Sequence, residues 1–211
     1  MTDLLARHLS VKQYGRFTLT EAVRPSLDVP IRPRQGYKIE VYRDRRHNIR
    51  MPMLCAAVSA EKLFDVFLDL LKPLGETAHV VLESSHGDDD FRSGHIDRER
   101  RHVDTPVLAS HFCDYEDLLL NDGCTGVAVL AGRRPMEVQF DEHKQFTIYA
   151  ANVRPFQRIL KAHGIKQRPT LKLLSEAEHL HHTSDDYADQ FEQLAMRLGV
   201  ENSDPVFADD E

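Results

Sequence analysis

Residues 51–83 constrain the fold more than any other part of the chain. They open with "MPMLCAAVS" and close with "AHVVLE", two apolar runs of strand length. Between them Leu63, Val66, Phe67, Leu70, Leu71 and Leu74 recur at helical spacing, and Phe64 widens the stripe. Ser59 stands where a cap belongs, and Glu61 places a carboxylate near the positive end of the helix dipole. Pro73 and Gly75 supply the stop. Strand, helix and strand in this order predict a βαβ unit with parallel strands and a right-handed crossover.

The flanking sequence extends this pattern. "YKIEVYR" (37–43) alternates as a strand does, and residues 45–48 read as a turn. Thr105-Pro106 marks a helix start, with Leu108, Phe112, Tyr115 and Leu119 on one face. "CTGVAVLA", "MEVQF" and "QFTIYA" form an antiparallel meander, placing Val138 and Phe140 beside Phe146 and Ile148. Asn152 caps a helix that ends at Gly164, and "RPTLKLL" (168–174) returns as a strand, giving a second βαβ unit. Ser175-x-x-Glu178 has the form of a capping box, and Thr183-Ser184 opens an amphipathic helix closed by Gly199.

The fold expected is therefore one α/β (α+β) domain over residues 37–199. Its mixed β-sheet combines two βαβ units with the meander, and a ferredoxin-like or elaborated ferredoxin-like layout is the nearest architecture. Residues 1–36, with Pro25, Pro30 and Pro33, read as an irregular arm containing a short helix near residues 4–9. Residues 200–211 read as an acidic, disordered tail.

Composition limits the function. Apolar residues make up 41% of the chain and charged residues 29%, as in a globular protein. A net charge of −7 argues against a protein dedicated to nucleic acid. Cys55, Cys113 and Cys124 contain no C-x-x-C pair, which fits a reducing compartment. No apolar run suits a signal segment or a bilayer span, so the expectation is no membrane association and, by default, a cytoplasmic location.

Both βαβ units end in Glu-x-x-His, Glu83 to His86 and Glu176 to His179, and with Glu178 beside the second copy the candidate ligands for a divalent metal ion are Glu83, His86, Glu178 and His179. His181 and His182 follow the second copy. The competing explanation is that Glu176 and Glu178 serve a helix N-terminus while the histidines face solvent.

Residues 84–105 are rich in charge and exceed the ~12–15 residues usual for a structureless loop. They supply His95 and His102 as loop candidates for an acid/base role, although a solvated excursion is the plainer reading. Three consecutive aspartates, Asp88, Asp89 and Asp90, lack the alternating spacing of a calcium loop. His143, in "DEHK", could also act as an acid/base, but four polar residues between paired strands are what a hairpin turn requires.

Residues 32–50 hold seven basic residues against two acidic ones, a pattern that guards an edge strand as readily as it binds phosphate. No Gly-rich phosphate loop, G-x-S-x-G or H-E-x-x-H occurs. Two functions remain. One is a non-catalytic binding or interaction domain, with a protein partner or self-association driven by charge segregation. The alternative is a divalent-metal-dependent hydrolase or related metalloenzyme.

Overall fold

A computed structural model describes residues 7–27, 29, 31–86 and 96–202. Its centre is an eight-stranded sheet. In chain order the strands are β1 (Gln13–Tyr14), β2 (Phe17–Thr18), β3 (Val23–Pro25), β4 (Gly36–Asp44), β5 (Ile49–Ala57), β6 (Thr77–Ser84), β7 (Ile96–Asp104), β8 (Thr125–Ala131), β9 (Met136–Phe140), β10 (Gln145–Ala150), β11 (His179–His181) and β12 (Glu201–Asn202). The helices are α1 (Ala60–Leu71), α2 (Thr105–Asp114), α3 (Glu116–Asn121), α4 (Arg154–Ala162) and α5 (Asp185–Leu198). The large sheet runs β12-β7-β6-β8-β9-β10-β5-β4, and β1-β2 and β3-β11 form two small ribbons.

Every pair of these strands is antiparallel. This corrects the expected mixed sheet. β5 and β6 do run in the same direction around α1, but β10, β9 and β8 lie between them. The helix therefore bridges a wide span of sheet instead of joining neighbours. The second expected unit has no returning strand: residues 168–174 carry none, and Gln167 makes only an isolated parallel bridge to Tyr37. Pro169 interrupts this segment, and Leu171 and Leu173 anchor it by burial without a backbone ladder. What stands is a mixed α/β architecture with a large antiparallel sheet; the ferredoxin-like layout is not reproduced by this strand order.

The β8-β9-β10 meander matches expectation, with Phe140 opposite Phe146 and Val138 opposite Ile148. The charged stretch does not. Residues 96–104 form β7, paired along β6, and residues 87–95 lie outside those described. The arginines at alternate positions explain this. Arg98 and Arg100 lie opposite Leu82 and Val80, on the sheet's helix side, and their stems run under α5. There Arg98 forks onto Glu192 at 2.7 and 2.8 Å, and Arg100 donates to the Leu198 carbonyl at 2.5 Å.

Several boundaries also move. Asp104 precedes α2, so Thr105 is its first residue, and Tyr115 breaks the expected single helix into α2 and α3. Ser175-x-x-Glu178 starts no α-helix; a 3₁₀ turn at Leu174–Glu176 leads into β11. Ser184 does cap α5, accepting from Tyr187 N–H, and Gly199 closes it at φ 61°. Of the expected N-terminal helix, residues 7–9 are helical and 1–6 lie outside those described. In the acidic tail, Glu201–Asn202 pair with β7, and residues 203–211 lie outside those described.

All five helices cover one face of the sheet. Their buried side chains join Leu54, Ala56, Val80, Leu82, Val127, Val129, Phe146 and Ile148 in one cluster. α1 alone buries Leu63, Phe64, Val66, Phe67, Leu70 and Leu71, a gross gain on the order of 10 kcal/mol before chain entropy is subtracted. Among the described residues, the other face is covered at one end only. There Phe17, Leu19 and Val23 from the N-terminal arm meet Leu171, Leu173 and Leu174 over Cys55 and Ala57 of β5. The arm is therefore part of the packed structure.

Candidate metal centre

The covering segments on the second face bring three histidines together. β11 pairs with β3 in register, His179 with Pro25 and His181 with Val23. In a strand, residues two apart share a side, so His179 and His181 project together and Leu180 points away. The third, His143, sits in the turn joining β9 to β10. Asp141 shapes that turn: its Oδ1 accepts from the His143 and Gln145 amides at 3.1 and 2.9 Å. Lys144 completes the turn in the left-handed region, at φ 59°.

One ring nitrogen from each histidine lies within 4.8 Å of the other two. The Nε2 atoms of His143 and His179 are 3.0 Å apart. Ring centroids are separated by 4.5, 4.8 and 5.1 Å, with the planes steeply inclined at 76°, 69° and 65°. The remaining nitrogens face outward to fixed partners. His179 Nδ1 donates to the Ala177 carbonyl at 2.6 Å, and His181 Nδ1 donates to the Gly123 carbonyl at 2.5 Å. His143 Nδ1 faces Asp141 Oδ2 at 3.3 Å and Glu142 Oε1 at 3.6 Å. Those contacts are too long or oblique to close a hydrogen bond, so their attraction is electrostatic.

The environment sets the imidazoles apart. Burial pushes the His143 pKa down, but the carboxylates of Asp141 and Glu142 outweigh it, and the net shift is upward. Burial pushes His181 down, and the neighbouring His143 and His179 add to this. Beneath them Lys144 is buried, donates to the Thr125 carbonyl at 2.8 Å, and lies 5.5 Å from the centre of the Phe140 ring. Burial lowers its pKa to about 8, against the pull of Asp122, Asp141 and Glu142.

Gly123 ties this end of the sheet together. Its amide donates to the His182 carbonyl at 2.7 Å, and the His182 amide donates to the Ala22 carbonyl at 2.8 Å. A Cβ at Gly123 would fall 2.3 Å from the Ala22 oxygen. Only glycine admits this approach.

The four ligands expected from Glu-x-x-His do not meet in one group. His179 belongs to the three-histidine cluster. His86 lies in a separate group with Asp122 and Cys124. Glu83, on β6, has its carboxylate over Gly126. Glu178 is exposed, and its backbone carbonyl accepts from the Ser26 amide. His102 packs edge-on against His79, 4.9 Å between ring centres, and its amide donates to His79 Nδ1; neither joins the two groups above. His95 lies outside the described residues, as do Asp88, Asp89 and Asp90. His181, Asp122 and Cys124 were not anticipated as ligands. The legible signal was His-Leu-His, which only a strand assignment for β11 would have turned into two convergent rings.

The chain matches no family model, no curated protein and no solved structure. Among the described residues, no helix is long and apolar enough to cross a membrane.

Proposed function

We propose that the chain is a divalent-metal-dependent hydrolase or related metalloenzyme whose centre is His143, His179 and His181. The observation that supports this most is the disposition of the outer ring nitrogens. Two donate to backbone carbonyls, the arrangement by which ligating histidines are fixed in tautomer and made more basic, and the third faces carboxylates whose charge adds to its basicity. Three neutral imidazoles suit zinc. Zinc held by these three residues would supply an acidified water as nucleophile near neutral pH. A narrow crevice lined by Phe17, Arg34, Leu63, His143, Lys172 and Leu174 reaches one of the three, His143, and has room for a water, about 20 Å³.

The test is metal analysis of tag-free protein purified without chelator, beside His179→Ala/His181→Ala. At least one equivalent of zinc is expected, and the variant should hold one equivalent less. Affinity should weaken as pH falls through the imidazole range, because protons compete for the ligand nitrogens. His143 should take up its proton before His181, following their upward and downward shifts. Sub-stoichiometric zinc, or equal zinc in the variant, would overturn the assignment.

A non-catalytic binding role is a second reading, and one feature favours it. β6, β8 and β9 contribute nothing to the cluster on the second face, where Val81, Leu130, Gln139 and Tyr149 stay partly exposed. A protein partner or a second copy could cover them. Light scattering that shows a strict monomer at low and high salt, with no protein retained from lysate, would count against it.

A further inference from the structure

Independently of the three-histidine centre, we propose that His86, Asp122 and Cys124 form a second divalent-metal site with the Cys124 thiolate as a ligand. One donor atom of each residue lies within 4.8 Å of the others. The group is built at one end of the sheet. Ser84 and Thr125 pair across β6 and β8, both buried on the helix side, and Asp122 caps the end of α3. The Ser85 amide donates to the Cys124 carbonyl at 3.0 Å, which fixes the turn carrying the thiol.

Asp122 is the decisive residue. It is fully buried, its Oδ2 accepts from Thr125 Oγ1 at 2.5 Å, Thr183 also stands against the carboxylate, and Oδ1 makes no well-formed hydrogen bond among the described residues. A buried carboxylate oxygen without a hydrogen bond costs more than a neutral group would, and the Lys144 ammonium that feels this charge donates to the Thr125 carbonyl and not to Asp122. His86 is already oriented toward it. Its Nε2 lies 3.0 Å from Asp122 Oδ2, and its Nδ1 lies 2.9 Å from Ser84 Oγ, a fixed outer partner.

A nucleophilic reading of the same residues is weaker. His86 Nδ1 faces Ser84 and Nε2 faces Asp122 and Thr183, and among the described residues no hydrogen bond joins either nitrogen to the Cys124 thiol, as a nucleophile–base pair requires. Ser84 is buried, and its oxygen accepts the His86 amide at 3.1 Å, which marks a local turn. A carboxylate, a thiolate and a neutral imidazole carry two negative charges, which one divalent ion neutralises. The mixed N, O and S donors select zinc or cobalt over magnesium or calcium.

Titration of the tag-free full chain with Co²⁺ tests this, because sulfur-to-cobalt charge transfer absorbs in the near ultraviolet and marks a thiolate ligand. Two equivalents are expected, one of them carrying that band. Cys124→Ser should remove the band and one equivalent, leaving the visible bands of the other ion. His179→Ala/His181→Ala should do the reverse, so failure of one centre is distinguishable from failure of the other. Asp122→Asn should weaken the band-bearing ion at least tenfold. Should the variants not fold, Zn²⁺ should slow alkylation of Cys124 in the wild-type chain at least tenfold, followed on its own peptide by mass spectrometry. No near-ultraviolet band at saturating cobalt, or alkylation unaffected by metal, overturns the proposal.

Discussion

The two faces of the sheet are built by different means. On the helix face, regular elements with clear periodicity close one cluster, and its largest members, such as Phe67, Phe112, Phe140 and Phe156, are fully buried. On the other face, short ribbons and irregular segments pack a smaller cluster around Phe17, Leu171 and Leu174. The segments on the second face carry the three-histidine cluster. A helix or long strand presents side chains at a fixed repeat, which suits close packing. Convergence of three rings from a turn and a short strand needs backbone that departs from that repeat, and the N-terminal arm and residues 168–182 provide it.

The largest break in this comparison comes from the helix face. Phe156 on α4 is fully buried in the main cluster. Phe156→Ala should cost ~3–5 kcal/mol, as other large-to-small aromatic changes in cores do. Its zinc content should stay at the wild-type value under native conditions, because no ligand lies on α4. Urea unfolding followed by circular dichroism gives the first quantity and metal analysis the second. If stability is unchanged, the helix layer is not the structural core; if zinc is lost as well, the two faces are not separable.

The contrast also explains what could be read in advance. The α1 helix, the β4 and β5 strands and the meander were legible because their patterns are local and short polar turns, most of them with Pro, Gly or Asn, set them apart. Strand adjacency was not legible, since two strands sharing a crossover helix run in one direction whether or not others insert between them. β7 escaped because its alternation is written in charges of both signs, which resembles a solvated loop until α5 supplies Glu192 and the Leu198 carbonyl. For the site, His86 and His179 were found for a motif that is not what gathers them. The useful spacing in β11 was hidden by an apparent capping box, since on a helix His179 and His181 would point away from each other.

A smaller effect, confined to the second face, should come from Gly123→Ala. The added Cβ would meet the Ala22 carbonyl at 2.3 Å and the His182 backbone at 2.9 Å. Backbone on both sides cannot yield as a flexible side chain would, so β3 and β11 must shift. That displaces the Gly123 carbonyl holding His181 Nδ1. Loss of such an outer partner lowers metal affinity ~10–100-fold, or about 1.4–2.7 kcal/mol. Competition with a chromophoric chelator measures it. Wild-type affinity in a folded Gly123→Ala chain would show that the Gly123 contact does not position the ligand.

The smallest effect tests the charged strand that joins the helix face. Arg98 forks onto Glu192 with two hydrogen bonds, and this pair draws the Glu192 carboxyl down and the Arg98 guanidinium up. Glu192 is 61% exposed, so solvent screens most of the attraction. Replacing it with glutamine keeps the length of the side chain and removes only the charge. Glu192→Gln should therefore lower stability by less than ~1 kcal/mol, and the difference from wild type should vanish near 1 M salt, where the screening length falls to ~3 Å. β7 is then held chiefly by its ladder to β6 and by the arginine stems packed under α5. A loss of several kcal/mol that persists in salt would instead make the ion pair the anchor of the strand, and the helix face would owe its closure to charge as well as to apolar packing.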